Sequence, residues 1–414
     1  MTSSRARKIT AFRSGVWIYF STLTLANALG DPSGLLSLPL QFALKDQLGL
    51  TPESLAFFEA VTFIPVYFGF AFGYLRDRWR PFGWGDRGYL LIGAPIAMAC
   101  YLWLASNELT YGRLLAGVTL AMIAYELFDV ATDALLTVTA QRYVMTGRLS
   151  AVVEVTEALP GMLAVIAGGW LAAHTSLRVP LAAAALCSVI ILAHAFWYPR
   201  ELFEENRDSG FTRESHRAAF GRLWRHRPLR GALLVGALWN LSLAWGTPYL
   251  FFLSNHLHLS SEILGLCRAA GLACAFVMGP AYGVLCQRLA LKRTLQLAVV
   301  LSLFPGFLYL FVSAPWQAVA VSVLVGLPTV FGHIALFDLL RRACPRDLEG
   351  SAITLLYSAL ALAVGAGDIA GSWLYQHGGF AVCLIADAAA NALVLPVLAF
   401  LPAELVSRRD GENA

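Results

Sequence analysis

Three carboxylates, Glu126, Asp129 and Asp133, recur three and then four residues apart inside an otherwise apolar stretch. In a helix that spacing puts all three on one face. Glu154 and Glu157 follow one turn apart, just before a Pro160-Gly161 break. Like charges crowded into poorly solvated space cannot all ionise, and a carboxyl that gains and loses a proton as its access to water changes is a proton carrier. The same five acids also suit a gate held by Arg78, Arg142 or Arg148 with no titration at all, and the residues alone leave both readings open. A second set is more scattered. Glu59 and Arg268 occupy nearly equivalent places in the two halves of the chain, where they could pair with each other or Arg268 could hold an acidic group of a ligand. Asn27 and Asp31 lie in Asn27-Ala-Leu-Gly30-Asp31-Pro32-Ser33-Gly34, and Asn240 and Trp245 stand at the corresponding place further on. With Asp368, these are the expected lining of a cavity.

The elements that position these residues are apolar helices. Of 414 residues 58% are hydrophobic and only 14% charged, well below the roughly 25% charged residues of a soluble domain. A bilayer core needs about twenty apolar residues per helix. Runs of that kind predict helices near 14–42, 52–76, 88–106, 109–137, 149–175 and 179–197, then 229–255, 261–287, 293–312, 316–341, 350–376 and 380–402. The expected fold class is an all-α polytopic membrane protein of twelve transmembrane helices in two six-helix bundles. The expected domains are residues 1–199, a polar linker 200–228, and residues 229–414. Ala26-Asn27-Ala28 could pass for a signal-peptidase site, but the apolar run continues to Leu44, so cleavage is not expected.

On this map the termini and the loops on their side hold 26 of the 30 Lys and Arg residues, and the opposite side holds only Lys45, Arg113 and Arg178. The positive-inside rule then places both termini in the cytoplasm, with the chain in the inner membrane. Ten acids, adding Asp338 and Asp387 to those above, fall within predicted helices against the single base Arg268. Intramembrane charges cost about 2.5–3.5 kcal/mol each on insertion scales and mark function by default. His333, five residues before Asp338, reads as a hydrogen-bonded packing residue. The seven cysteines stand singly, with no C-x-x-C, so neither a disulfide framework nor a metal site is expected. No phosphate-binding loop, zinc-binding His pair or Gly-x-Ser-x-Gly elbow occurs, which argues against ATP as energy source and against an enzyme.

The halves repeat. Gly69-Phe-Ala-Phe-Gly73-Tyr-Leu75-Arg-Asp77-Arg78 matches Gly279-Pro-Ala-Tyr-Gly283-Val-Leu285-Cys-Gln287-Arg288 at five of ten positions, at an offset of 210. Gly169-Trp170-Leu171-Ala-Ala-His174 similarly parallels Ser372-Trp373-Leu374-Tyr-Gln-His377. Duplicated six-helix bundles are how major facilitator transporters are built, with the substrate between the halves. Gly73-x-Leu75-x-Asp77-Arg78 resembles the major facilitator loop motif. That resemblance implies an acid docking on the start of the eleventh helix, near Glu349-Gly350-Ser351, and stabilising an outward-open state.

A longer stretch, Leu44-Lys45-Asp46-Gln-Leu-Gly-Leu50, Pro65, Gly73, Asp77-Arg78, Phe82-Gly83 and Arg87-Gly-Tyr89-Leu90-Leu91, with Asp129-Val130-Ala-Thr-Asp133-Ala134, is similar to the folate–biopterin transporter branch. The related muropeptide permeases fit about as well. This resemblance implies alternating-access transport of a small organic solute, a pterin or folate or a muropeptide; the acid-rich interior adds an organic cation and the proton gradient as driving force, with no cofactor. The expected partners are that solute and the lipid bilayer, with no nucleic acid, and the expected state is a monomer. The folate–biopterin pattern has Lys-Pro after its second-helix proline; Gly69-Phe70 stand there here, which points away from a polyanion. Non-transporting factors that assist assembly of pigment–protein complexes resemble the same branch and are the alternative.

Overall fold

The computed structural model describes residues 14–79, 81–84, 87–141, 146–197, 225–344 and 349–407. Most of the expected linker and the side chains of Asp77, Arg78 and Asp133 lie outside what is described. Among the described residues, helical segments stand at each of the twelve expected places; seven stretches, the last covering both of the final two places, are long and apolar enough to cross a membrane by length and composition. We number the helices at the expected places α1–α12. The side where α1 begins and α12 ends is the terminal side, and the other is the distal side.

Several helices are interrupted, most of them beside Gly or Pro. The first, α1, runs Ser14–Gly30 and resumes at Ser37–Phe42, broken by the Pro32 and Gly34 of the intervening turn. Next, α2 comprises Pro52–Thr62, Ile64–Tyr67 and Gly69–Arg78, with offsets at Phe63 before Pro65 and at Phe68. Then α3 (Arg87–Ser106), α4 (Tyr111–Gln141), α5 (Thr146–His174) and α6 (Arg178–Phe196) are continuous. In the second half α7 spans Arg227–Trp239 and Thr247–Phe251, and α8 spans Ser261–Ala273 and Ala275–Arg288. In α9 the segment Leu291–Ser302 continues as a 3₁₀ stretch, Pro305–Phe311, and α10 is Pro315–Ala343. Finally, α11 (349–378) and α12 (380–392, continued by Val394–Ala399) meet at Gly379, whose φ of 74° suits glycine alone.

The sequence repeat is a structural repeat. Both α1 and α7 break, resume briefly and end in a π turn, Ala43–Gln47 in one and Phe252–His256 in the other. The helix that follows is capped each time by a hydroxyl: Thr51 accepts from the Ser54 N–H at 3.3 Å and Ser260 from the Ile263 N–H at 3.4 Å.

Buried apolar side chains form two clusters. One joins α1, α3, α4 and α6 to the distal parts of α7, α8 and α10, through Leu250, Leu264 and Val321 among others. The other fills the terminal part of the second half, with Ala158 of α5 against it. The halves are therefore packed together on the distal side. Their closest backbone approach is between α5 and α8. A Cβ on Gly265 would stand 2.6 Å from the Val165 carbonyl oxygen, and one on Gly169 would stand 2.6 Å from that of Ser261. The Ser261 hydroxyl donates to the Gly169 carbonyl at 3.0 Å. Small residues let two helices approach this closely in lipid, where contact area rather than water exclusion drives association. Gly265→Val should cost about 1–3 kcal/mol by overpacking, seen as a lower apparent melting temperature, whereas the same change at Gly112, where a Cβ meets open space, should leave it nearly unmoved.

Candidate functional site

A break inside a membrane frees backbone N–H and C=O groups that must find partners within the protein. In α1 the last helical bond runs from the Asp31 N–H to the Asn27 carbonyl at 2.8 Å. The Gly30 carbonyl accepts from the Tyr101 hydroxyl of α3 at 2.7 Å. Asp31 turns back on the break, accepting from the Ser33 N–H at 2.6 Å and from the Ser33 hydroxyl. The side chain of Asn27 donates to Asp129 of α4 at 2.5 Å.

In α7 the freed N–H groups are met by acids from other helices. Asp387 of α12 accepts from the Leu243 N–H and from the Trp245 indole, both at 3.0 Å, and Asn391 adds a third bond at 3.2 Å. Asp368 of α11 accepts from the Thr247 N–H at 2.6 Å and its hydroxyl at 2.7 Å, acting as an N-cap delivered from a neighbouring helix. Trp245 is packed against the Tyr249 and Tyr309 rings. Asn240 folds its amide onto the Gly236 carbonyl of its own helix at 2.9 Å. Of the expected cavity residues in the second half, Asp368 and Trp245 are thus bonded into the break, and Asn240 remains half-buried.

Glu59 and Arg268 do not meet directly. Gln41 of α1 stands between them, its amide nitrogen 2.6 Å from Glu59 Oε1 and its carbonyl oxygen 2.9 Å from an Arg268 guanidinium nitrogen. A second guanidinium nitrogen donates to the Ser37 hydroxyl at 3.3 Å. Arg268 is within charge–charge range of both Glu59 and Asp368. This chain of bonds joins the halves, and its central member is a neutral residue that charge-counting in the sequence passes over.

The acids expected to share one space between α4 and α5 are divided by the structure, because those two helices hardly touch. Glu126 faces α2 and α11: a Cβ on Gly69 would stand 3.4 Å from Glu126 Oε2 and 3.5 Å from the Ser358 hydroxyl. That hydroxyl accepts from the Phe70 N–H at 3.3 Å. Asp129 is turned to Asn27. Glu154 reaches α10 in the other half, 2.9 Å from His333 Nδ1; this is the partner of His333 that the sequence did not reveal. Glu157 remains exposed, with Glu154, Asp129 and Arg341 in charge–charge range. Asp338 is sealed in the second half, gripped by two nitrogens of Arg342 at 2.9 Å each and by the Tyr282 hydroxyl at 2.9 Å. Of the loop motif, Gly73 lies against α11, where its Cβ would meet Thr354 at 3.4 Å.

The interior acids therefore sort into two groups. Asp338, Asp368 and Asp387 are buried and fully engaged in structural bonds. Glu59, Glu126, Asp129, Glu154 and Glu157 keep accessible surface, as does Asp31 at the α1 break, and Glu59, Glu126 and Glu154 stand beside the other half. Among the described residues no group of three His, Cys, Asp or Glu could hold a metal ion, and the seven cysteines are free. Arg342→Ala should cost about 3–5 kcal/mol by stranding a buried charge on Asp338. Adding Asp338→Asn should restore part of the loss, a difference that thermal unfolding of the two variants resolves.

Comparison with known proteins places this arrangement. The sequence model of the BT1 family matches residues 30–412. The folate-biopterin transporter of Synechocystis sp. is 24% identical over 400 residues, covering 89% of this chain and 79% of that protein. Among solved structures, the nucleoside transporter NupG superposes with a TM-score of 0.66 at 12% identity, covering 93% of this chain and 98% of its own. A single-residue mutant of NupG superposes with a TM-score of 0.64 at 13% identity, covering 93% and 99%.

Proposed function

Because this chain belongs to the BT1 family, we propose that it carries a small organic solute across the membrane by alternating access between two halves, driven by the proton gradient. Membrane transport, as opposed to enzymatic chemistry, is the common property of the family and the matched proteins, and the major facilitator fold of NupG is the fold of this chain. The halves are residues 1–199 and 229–414, linked through 200–228. The distribution of Lys and Arg supports an inner-membrane location with both termini, and hence the terminal side, in the cytoplasm.

The observation that carries the proposal is the sorting of the acids. A protein that needed its intramembrane carboxylates only for helix contacts would bond them all as it bonds Asp338, Asp368 and Asp387. Glu59, Glu126, Glu154 and Glu157 instead keep accessible surface, and Glu59, Glu126 and Glu154 stand beside the other half, near Arg268, Ser358 and His333, at a cost that marks function by default. They supply hydrogen-bond acceptors and titratable sites together. The favoured solute is a neutral or cationic nitrogen heterocycle, for which an unconjugated pterin such as biopterin, one of the solutes in the relative's name, is the representative. Carboxylates at Glu126 and Asp129 suit N–H donors. Gly69 puts no cation beside Glu126, and Arg268 already holds Gln41 and Ser37, which disfavours a polyanion such as folate.

Purified protein in vesicles should take up biopterin several-fold faster with pH 5.5 outside and 7.5 inside than at equal pH, and a protonophore should abolish the difference. Glu126→Gln and Asp129→Asn should lower that uptake at least tenfold, the equivalent of about 1.4 kcal/mol. Uptake indifferent to the gradient removes the coupling. The solute class is tested separately by thermal unfolding with pterins, folates, muropeptides and organic cations. A ligand at a hundred times its dissociation constant adds about 2.7 kcal/mol, and stabilisation by folate but not biopterin would reverse the preference.

A further inference from the structure

We infer that His333 is the group that binds and releases the transported proton, and that its charge latches α10 to α5 through Glu154. The inference rests on the proton-coupled reading above and names a carrier within it. His333 Nδ1 and Glu154 Oε2 are 2.9 Å apart on helices from opposite halves, with the side chains 42% and 21% exposed. A carboxylate accepts, so Nδ1 is the donor and Nε2 is left to take a proton. Neither partner is fixed to its own helix by a described bond, so the link is free to form and break.

The other described histidines are placed differently. His194 is buried in α6 between Thr22 and the Ile190 carbonyl. His174 and His377 sit at the distal ends of their helices, each bonded to a carbonyl one turn back. His226, His256 and His258 lie at helix ends. Among the described residues, His333 is the imidazole that is both within a long helix and across the junction of the halves. The distal pair His174–Glu262 also joins α5 to the second half, but at 3.4 Å and with both side chains well exposed.

The surroundings suit a switch. On α10, Phe337 packs edge-on against the His333 ring at 4.5 Å, and Arg341 lies over Phe337. Facing them from α5 are Glu154 and Glu157; from α4, Asp129 lies in charge range of Glu157. From α11, Tyr357 backs Phe337 at 5.4 Å. From α8 come Cys274, against the Val323 carbonyl of α10, and Tyr282, bonded to Asp338. Among the described residues, the charged group bonded to the imidazole is the Glu154 carboxylate.

The step balances simply. A proton added at Nε2 turns the neutral ring into an imidazolium, and the bond to Glu154 becomes an ion pair, roughly twice as strong as a neutral hydrogen bond. That state holds α5 against α10 and closes the terminal side. Loss of the same proton from Nε2 to water, which reaches the part-exposed ring, returns the neutral ring, weakens the link and lets the terminal side open. Histidine is the side chain whose ordinary titration spans the pH range in which a cell maintains its proton gradient.

The test uses protons alone as the probe. Full-length protein in a solid-supported membrane should give a transient current after a pH jump in the absence of solute, with a single titration midpoint. His333→Gln should reduce the current at least tenfold. Glu154→Gln, which keeps the hydrogen bond but not the charge, should retain it with a displaced midpoint. An unchanged current and midpoint in His333→Gln would overturn the inference and return the carrier role to the carboxylates. An unmoved midpoint in Glu154→Gln would overturn the latch. Should His333→Gln fail to fold, the Glu154→Gln midpoint decides alone. If wild type gives no current while its uptake still follows the gradient, His333 is excluded and the proton-coupled reading survives. If both are absent, the coupled reading has failed as well.

Discussion

When α7 stops at Trp239 and restarts at Thr247, the N–H groups of Asn240, Leu241 and Ser242 still find backbone carbonyls, but those of Leu243 and Thr247 depend on acceptors from other helices. An unmet donor in hydrocarbon costs several kcal/mol, so a break of this kind persists only if acceptors are brought to it. Asp387 and Asp368 are those acceptors. The position of α11 and α12 beside α7 follows from this need as much as from apolar packing. Gly246 fits the same constraint, since a Cβ there would collide with the Asp368 carboxyl. In α1 the break is met by Tyr101 and by the turn's own Asp31–Ser33 bonds. One backbone requirement, solved with different residues in each half, thus fixes the architecture around which the accessible groups are arranged.

This explains why intramembrane acidity by itself says little about function. Asp368 and Glu59 are both carboxylates in apolar helices, and by composition they are equivalent. Asp368 is committed to two donors of one threonine, while Glu59 accepts from a glutamine that is itself shared with Arg268. A bond shared in this way can be exchanged for another at modest cost; a carboxylate capping a broken helix cannot leave without stranding the backbone. What separates a structural acid from a mobile one is the nature of its donor, which is a property of the fold.

The helix map, the all-α class and the break in α1 were legible in the sequence, because hydrophobic run length and Gly/Pro placement are local signals. The break expected at Pro160-Gly161 is absent, α5 running on from Thr146 to His174, and the break in α7 lies inside a run that reads as one helix. The repeat was legible too: Thr51 and Ser260 are found in matching caps. The sequence reading failed where contacts cross long intervals. The three-and-four spacing of Glu126 and Asp129 does put them near one another, yet it carries no information on whether α5 lies opposite, and α5 turns instead to α8 and α10. Gln41 went unnoticed because a neutral amide in an apolar run reads as tolerated polarity. His333 reads as a hydrogen-bonded packing residue and is hydrogen-bonded, but to a partner in the other half, Glu154, 179 positions away. These are tertiary facts with no local signature.

The bonds that close the breaks remain within a half: Tyr101 with Gly30, Asn27 with Asp129, Asp387 and Asp368 with α7. They involve backbone groups or tightly held side chains, and breaking them exposes unmet polar atoms. Of the bonds that cross between halves, Glu154 with His333 runs between side chains that keep accessible surface and can turn to water or to a solute instead, while Arg268 keeps accessible surface and its partner Gln41 is buried. Exceptions occur where glycines bring the helices into backbone contact, at α5 and α8 and at α2 and α11, and there the polar links are single hydroxyls. The expensive bonds are internal to each half and the cheap ones lie between them. That distribution is what two bodies need in order to rock against each other with a low barrier while each keeps its broken helix intact, and it places the adjustable charges at the surface where the rocking takes place.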